Sequence, residues 1–431
     1  SQGGLQWVFN AYVVAFGGLL LLGGRLSDLF GARRVFAAGW LVLIAGSVIA
    51  AVAGGPPVEI MGRAIQGAGS ALIAPAAMTL LMMLFSGQPA ELPKAMAFYG
   101  AAAPAGGTAG VFLGGVITEW LSWPWVFVIY LPIGLLSLAL VPVLLPGVPG
   151  RKAGMDAIGA VVVTGGLALA VYGIVQAPER GWASASTLVE LAGAVLLLAV
   201  FVGIQRAVRA PLMPLSVWRT PNLAAANVAM TLLGAAWIPM WYFLNLYLQQ
   251  VLGYGAFPSG AALVPMTALM MLLMVGVTGR LIARFGTKPL IVTGLTVLAA
   301  GLGVLSTIHP RGGFVADVLP GSLICAVGMA LVFIPATMAA IGAVAPEQGG
   351  LAAGIINTTY QIGSAIGLAA MTAIATSRGA AILGNLPSLT DGFQAAFIGA
   401  AVVALAGAGL GLATLRTPEP VRAPAPETID A

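Results

Sequence analysis

Charge is what this sequence has least of. Only 7% of its 431 residues are charged, against about a quarter in an ordinary soluble domain. So few charges cannot coat a water-facing surface, which excludes a soluble globular protein. Cys325 is the only cysteine, so an intramolecular disulfide is excluded. His309 is the only histidine and sits in a polar break, so no metal cluster can be built and no metal or other cofactor is expected. No G-x-x-x-x-G-K-[ST] loop is present, which leaves the chain without an ATPase site of its own. An enzyme would need a nucleophile and base, or metal ligands, at depth. Those are missing, and no enzyme is expected.

Hydrophobic residues make up 60% of the chain, and the mean hydropathy is +1.02. They recur in runs of roughly twenty, the length that crosses a hydrocarbon core of about 30 Å at 1.5 Å per residue. The short alternating segments of a transmembrane barrel are absent. The expected fold class is therefore an all-α polytopic membrane protein. Thirteen spans are expected from the apolar runs 5–22, 35–53, 60–85, 95–118, 126–145, 157–176, 188–204, 223–248, 261–278, 290–308, 318–344, 355–375 and 393–415.

Eighteen Lys and Arg against thirteen Asp and Glu would suggest nucleic acid in a soluble protein. In a bilayer, loop Lys and Arg set orientation instead, so no nucleic-acid partner is expected. Sorting the loops alternately to two sides puts Arg25, Arg33, Arg34, Lys94, Arg151, Lys152, Arg206, Arg209, Arg219, Arg280, Arg284, Lys288, Arg416 and Arg422 on one side. Only Arg180, Arg311 and Arg378 fall on the other, and Arg63 lies within a span. This asymmetry predicts a multi-pass protein of the cell (inner) membrane with a cytoplasmic C-terminus. An odd span count then puts Ser1 outside, without Met or signal peptide and just before a hydrophobic helix. The expectation is that one further helix precedes Ser1, giving fourteen.

The chain repeats itself. Gly24 to Gly39 reads GRLSDLFGARRVFAAG, and Gly279 to Gly294 reads GRLIARFGTKPLIVTG, 255 residues later. The copies are eight spans apart, where a duplicated six-plus-six bundle would put them six apart. The expected organisation is an N-terminal helical half over 1–150 lacking its first helix, an inserted pair and linker over 151–220, a C-terminal six-helix half over 221–415, and a disordered cytoplasmic tail over 416–431.

The first copy resembles the loop signature of the major facilitator superfamily, and the six-plus-two-plus-six plan resembles its fourteen-helix drug:proton antiporter family. LQWVFNAY at Leu5, GRAIQGAGSALIAP at Gly62, WPWVFVIYLPIGL at Trp123, YLQQVLGY at Tyr247 and NTTYQIGSAIGLA at Asn357 extend the likeness over nearly the whole chain. The resemblance implies the major facilitator fold and alternating access. It also implies a cytoplasmic latch built from Gly24, Asp28, Gly31 and Arg33, in which the carboxylate meets helix ends and basic groups in one state and is released in the other. The bland reading is a solvated loop that only sets topology. In the second copy Ala283 replaces the acid.

Arg63 is the only ionisable side chain well inside a span, where insertion costs about 2.5–3.5 kcal/mol. Gln66, Gly67 and Ser70 share its face at i+3, i+4 and i+7. The resemblance implies that Arg63 helps couple protonation to conformational change; near a helix end such a head can also snorkel to water. Gly106, Gly110 and Gly114, with Gly115, give a smooth face read as a helix-packing motif. The family's antiporter motif carries Pro after the middle glycine, where this chain has Val111. Trp237, Trp241, Asn245 and Gln249 repeat every four residues, and Asn357, Tyr360, Gln361 and Ser364 share a helix face. Polar groups facing lipid would be unsatisfied. Gln66, Trp241, Asn245, Asn357 and Gln361 are accordingly expected to line a substrate cavity, with Gln249 interfacial.

All thirteen carboxylates lie in loops, tails or span ends. Fourteen-helix relatives carry an Asp in the first helix, so proton coupling rests here on the resemblance. The expected function is a monomeric secondary transporter exporting small hydrophobic or amphiphilic compounds, with protons, a small-molecule substrate and the bilayer as partners. Transport of one specific metabolite, or a structural membrane protein without transport, are the alternatives.

Overall fold

The structure is a computed structural model and describes residues 2–85, 87–88, 91–147, 156–208, 211–213, 215–220, 222–344, 349–380 and 384–416. Each of the thirteen apolar runs corresponds to one helical segment, with some run ends falling a few residues past the helix. These are α1 Gln2–Phe30, α2 Ala32–Ala51, α3 Pro56–Phe85 and α4 Leu92–Trp120; α5 Trp125–Leu144, interrupted at Ile129; α6 Ala157–Arg180 and α7 Ala185–Ala207; α8 Leu223–Val251 and α9 Phe257–Phe285, each containing a π turn; α10 Thr287–Leu305; α11 Phe314–Ile341; α12 Gly349–Ala375; and α13 Leu386–Thr414. Among the described residues eleven helices are long and apolar enough to cross a membrane. The apolar part of α6, Ile158–Ile174, is shorter. Helix is the answer a bilayer imposes, since each backbone N–H must be bonded within its own segment. The expected tail lies outside the described residues after Arg416, as do Arg151, Lys152, Arg209 and Arg422.

The sequence repeat is a structural repeat. Gly31 and Gly286, 255 residues apart, both turn the chain at positive φ, 88° and 78°, a conformation that costs glycine nothing. Two helix pairs follow the same rule. In α2 and α3, a side chain at Gly39 would collide with the Gly69 carbonyl, one at Gly46 with that of Gly62, and conversely. In α10 and α11 the same reciprocal contacts join Gly294 to Gly328 and Gly301 to Gly321. Glycine at every seventh residue on both partners lets the backbones touch, which is how helices associate where water gives no hydrophobic drive.

Helices of the first repeat meet those of the second along two seams. On one, α1 meets α12, where a side chain at Gly354 would start 3.2 Å from the Leu20 carbonyl and 3.6 Å from Gly24 Cα. On the other, α4 meets α9 through Phe112 and Phe257, ring centres 5.0 Å apart, and meets α11 where Gly100 faces Ile334. Helix α6 packs on α7 and also on α1 and α12. At its start, Asp156 caps α6 by accepting from the Gly159 amide at 2.7 Å and from Gln205 Nε2 at 2.7 Å. Asn222, the one described non-glycine residue at positive φ, ties the start of α8 to the end of α13 by exchanging two hydrogen bonds with the Arg416 backbone.

Candidate functional site

Arg63 stands two turns into α3, at the end of the bundle opposite the basic loops. Its Nε donates to the Val8 carbonyl of α1 at 3.0 Å and its Nη1 to Gln66 Oε1 at 2.8 Å. The guanidinium lies 4.5 Å from the Tyr12 ring centre, an attraction worth about 0.5–2 kcal/mol. Gln66 Nε2 in turn donates to Ser47 Oγ on α2 at 2.7 Å, and Ser47 Oγ donates to the Leu43 carbonyl at 2.8 Å. Gly67 makes this possible: a Cβ there would strike the Tyr12 carbonyl, so only glycine lets α1 lie close enough for Val8 and Tyr12 to reach the arginine. Among the described residues no carboxylate forms an ion pair with Arg63. A cation is thus held inside the bundle by neutral oxygens and a ring, with the Glu59 carboxylate one turn earlier on α3 acting on it through its field rather than through an ion pair.

Gln66 was expected on a cavity surface. It is instead 2% exposed and its amide is spent on Ser47 and Arg63, so it lies in the wall between α2 and α3. Ser47 and Tyr12 went unnoticed in the sequence. Ser47 is a lone hydroxyl in the apolar run of α2, and that isolation was the available signal.

The stripes on α8 and α12 run side by side. Thr359 Oγ1 donates to Asn227 Oδ1 at 2.9 Å, Gly363 faces Thr231, and Gly367 faces Ala235, so the helices are parallel with matching positions 132 apart. Gln361 is therefore level with Ala229, and Trp241 lies twelve residues further on, about 18 Å along the axis. The expected cavity residues do not gather at one level. Asn357 and Gln361 lie toward the basic end, Asn357 donating to its own Ala353 carbonyl at 2.8 Å. Trp241 and Asn245 lie toward the other end, where Asn245 accepts from Gln249 at 2.7 Å. Trp237 is buried in the core. A long, sparsely polar wall results.

At the basic end, Gly24 lies where α1 meets α12, and Asp28 is half-buried one turn further on. Arg33 reaches the chain just past α5, its Nη1 3.2 Å from where a Gly147 side chain would begin, a placement that suits the negative end of a helix dipole. Gly106, Gly110 and Gly114 of α4 face open space: a Cβ at any of them would meet no described atom within 4 Å. The close glycine contact of α4 lies earlier on the helix, at Gly100 against Ile334.

The profile of the Major Facilitator Superfamily matches residues 1–368. The chain is 38% identical over 406 residues to the cephamycin export protein CmcT of Amycolatopsis lactamdurans, covering 93% of this chain and 83% of that one. It is 35% identical over 392 residues to the puromycin resistance protein pur8 of Streptomyces alboniger, covering 89% and 77%. The tetracenomycin C resistance and export protein of Streptomyces glaucescens is 31% identical over 380 residues, covering 88% and 70%. Among solved structures, the human organic anion transporter MFSD10 superposes with a TM-score of 0.66 at 17% identity, covering 94% of this chain and 83% of that one. The proton:xylose symporter XylE gives 0.65 at 16% identity, covering 94% and 84%. With its duplicated glycine lattice, its loop signature and a family match over most of its length, this chain belongs to the Major Facilitator Superfamily of membrane transporters.

Proposed function

We propose that the protein is a proton-coupled exporter of small hydrophobic or amphiphilic compounds, working as a monomer by alternating access and performing no enzymatic chemistry. The observation that carries this reading is Arg63, an intramembrane cation held by the Val8 carbonyl, the Gln66 amide and the Tyr12 ring. Such a charge is retained for function, because it disfavours the membrane-inserted state by about 2.5–3.5 kcal/mol. Its field answers to any proton gained or lost nearby, while an arginine itself keeps its own proton. The two halves over 1–150 and 221–415 rock about the α1–α12 and α4–α9 seams. Gly24, Asp28, Gly31 and Arg33 form the latch at the basic end, which faces the cytoplasm by the excess of loop Lys and Arg. Trp241 and Asn245 serve the outer part of the substrate path, and Asn357 and Gln361 the inner part, where an apolar wall with few polar anchors suits amphiphiles. The Gly106, Gly110, Gly114, Gly115 face is a surface that α4 presents to a neighbour in another conformation. The export relatives support the direction of transport.

In inside-out membrane vesicles with an acidified lumen, the fluorescent cation ethidium is expected to accumulate in the lumen, and a protonophore to abolish the accumulation. Accumulation independent of the gradient, or none at all, would overturn the reading.

A further inference from the structure

The two copies of the repeated loop carry different charge. In the first, Asp28 stands among Arg25, Arg33 and Arg34, and at the same end of the bundle Lys94 pairs with Glu91 at 2.9 Å. In the second, Ala283 takes the place of Asp28, and Arg280, Arg284 and Lys288 have no acid in their loop. Among the described residues none of these three enters an ion pair. Two further exposed cations share their end of the bundle. A Cβ at Gly407 of α13 would lie 3.2 Å from Leu295 of α10, and one at Gly411 3.6 Å from Val292, so the two helices run antiparallel and Arg416 emerges beside the start of α10. Asn222 binds the Arg416 backbone three residues after Arg219. Asp317 and Asp391, the described carboxylates of α8 to α13, lie at the opposite end.

Membrane orientation explains the cations but not the missing acid, because that rule counts Lys and Arg and is nearly indifferent to Asp and Glu. The helix dipoles do not explain all of the cations either. The end of α9 welcomes Arg284 in its last turn, whereas Lys288 stands in the first turn of α10, where a cation is disfavoured. Three like charges around the Gly286 turn repel one another, and no described carboxylate offsets them. Arg280 and Arg284 are one turn apart on the exposed side of α9. Phe285 beside them is 51% exposed, and the Arg284 guanidinium lies 5.2 Å from its ring centre. At the end of a spanning helix such a ring seeks the acyl chains, while the guanidinium reaches out to the phosphate level. The patch therefore sits where lipid headgroups are.

We propose that Arg280, Arg284 and Lys288 form a binding surface for the headgroups of anionic phospholipids at the turn between α9 and α10. The two guanidiniums offer paired N–H donors to phosphate oxygens, and the lysine adds a point charge. The acyl chains lie along Phe285 and the apolar side of α9, where Val277 is also exposed. Arg416 and Arg219 widen the positive field around the bound phosphate. An external anion thus gives the second copy the negative charge that Asp28 gives the first. The surface is separate from the groups that the export reading uses, and its test needs no transport.

The experiment is native mass spectrometry of the purified full chain from detergent micelles that hold equal amounts of phosphatidylglycerol and phosphatidylcholine. The wild-type chain is expected to retain phosphatidylglycerol severalfold over phosphatidylcholine. Arg280→Gln, Arg284→Gln and Lys288→Gln should each lower that ratio by up to roughly fivefold, the weight of about 1 kcal/mol that one basic side chain carries near an anionic surface. The three together should abolish the preference. Ala283→Asp, which restores the acid of the first copy, should lower the ratio as one lost cation does, and it decides the matter if the triple variant loses its cooperative thermal transition. Arg180→Gln, at the other end of the bundle, should keep the wild-type ratio. Inorganic phosphate at millimolar concentration should leave the lipid in place, since it offers charge without acyl chains; displacement by phosphate would make this a site for a soluble anion and overturn the lipid assignment. A wild-type chain without preference, a folded triple variant that keeps it, an unchanged ratio in Ala283→Asp or an equal fall in Arg180→Gln also overturns the proposal.

Discussion

The α2–α3 pair and the α10–α11 pair share a backbone plan and differ in what fills it. Both are zipped by four glycines in register, and Leu43 and Leu298 occupy equivalent places against Gly69 and Gly328. In the first pair the space between the helices holds Ser47, Gln66 and Arg63 in one hydrogen-bonded line. In the second, the equivalent positions are Leu302, Cys325 and Ser322, which are buried, and Ser322 donates within its own helix to the Leu319 carbonyl. Duplication supplied a packing device, and the copies then diverged. The N-terminal copy holds a charged, hydrogen-bonded line between its helices, and the C-terminal copy holds apolar and small side chains there.

The largest effect should come from removing the charge that separates the copies. Arg63→Leu is expected to lower gradient-driven ethidium accumulation by roughly tenfold or more, about 1.4 kcal/mol or more in coupling. It should leave the thermal midpoint unchanged or raised, since an intramembrane charge is removed. A simultaneous collapse of folding would show that Arg63 is a structural bolt instead. Next comes an exchange of contents. Cys325→Gln forces an amide against Leu298 and Leu302 with no partner, which is expected to cost about 1–3 kcal/mol in a reversible unfolding assay. Adding Leu302→Ser supplies the partner that Ser47 gives Gln66, and part of that loss should return. If the double variant is no better than the single one, the resemblance between the two interfaces is weaker than their glycines indicate.

How much of this could be read beforehand differs by feature. The repeat, the thirteen apolar runs and the placing of Arg63 inside a helix were legible, because each follows from a local quantity: a motif, a hydropathy run, or a charge within an apolar stretch. The glycine lattice was not singled out, since 59 glycines give no hint of which ones face one another. Gln66 was recognised as polar on the face of Arg63 but assigned to a cavity, because sequence spacing fixes a helix face and not the neighbour it meets. The same limit explains Trp241, Asn245, Asn357 and Gln361. Each stripe has sound helical spacing, yet the offset of 132 between α8 and α12 is a tertiary quantity. It puts the nearest members of the two pairs, Gln361 and Trp241, about 18 Å apart.

A smaller effect comes from the zipper itself. A methyl group at Gly62 would sit 2.7 Å from the Ala50 amide nitrogen and 2.9 Å from the Gly46 carbonyl, both backbone atoms that cannot yield without parting the helices. At the equivalent Gly321 the nearest atom is Leu305 Cγ at 2.7 Å, in a side chain that can turn aside. Gly62→Ala should therefore destabilise by about 1–3 kcal/mol and Gly321→Ala by clearly less, measured as the difference in thermal midpoints. Equal losses would mean that the C-terminal interface is as tightly set as the N-terminal one.

The smallest effect is expected at Gly110 on α4, a glycine outside both zippers. No described atom lies within 4 Å of a Cβ built there, so Gly110→Ala meets no collision and gains up to about 1 kcal/mol of helix propensity. Its thermal midpoint should hold or rise slightly. Transport is the more telling readout, because a glycine that is open in one conformation can be closed upon in another. If Gly110→Ala is stable yet exports ethidium several times more slowly, α4 meets a partner through that face during the cycle, and its glycines do for a moving contact what Gly62 and Gly321 do for fixed ones. If export is unaffected, the stripe is a bystander and the zippers are the places where glycine is required.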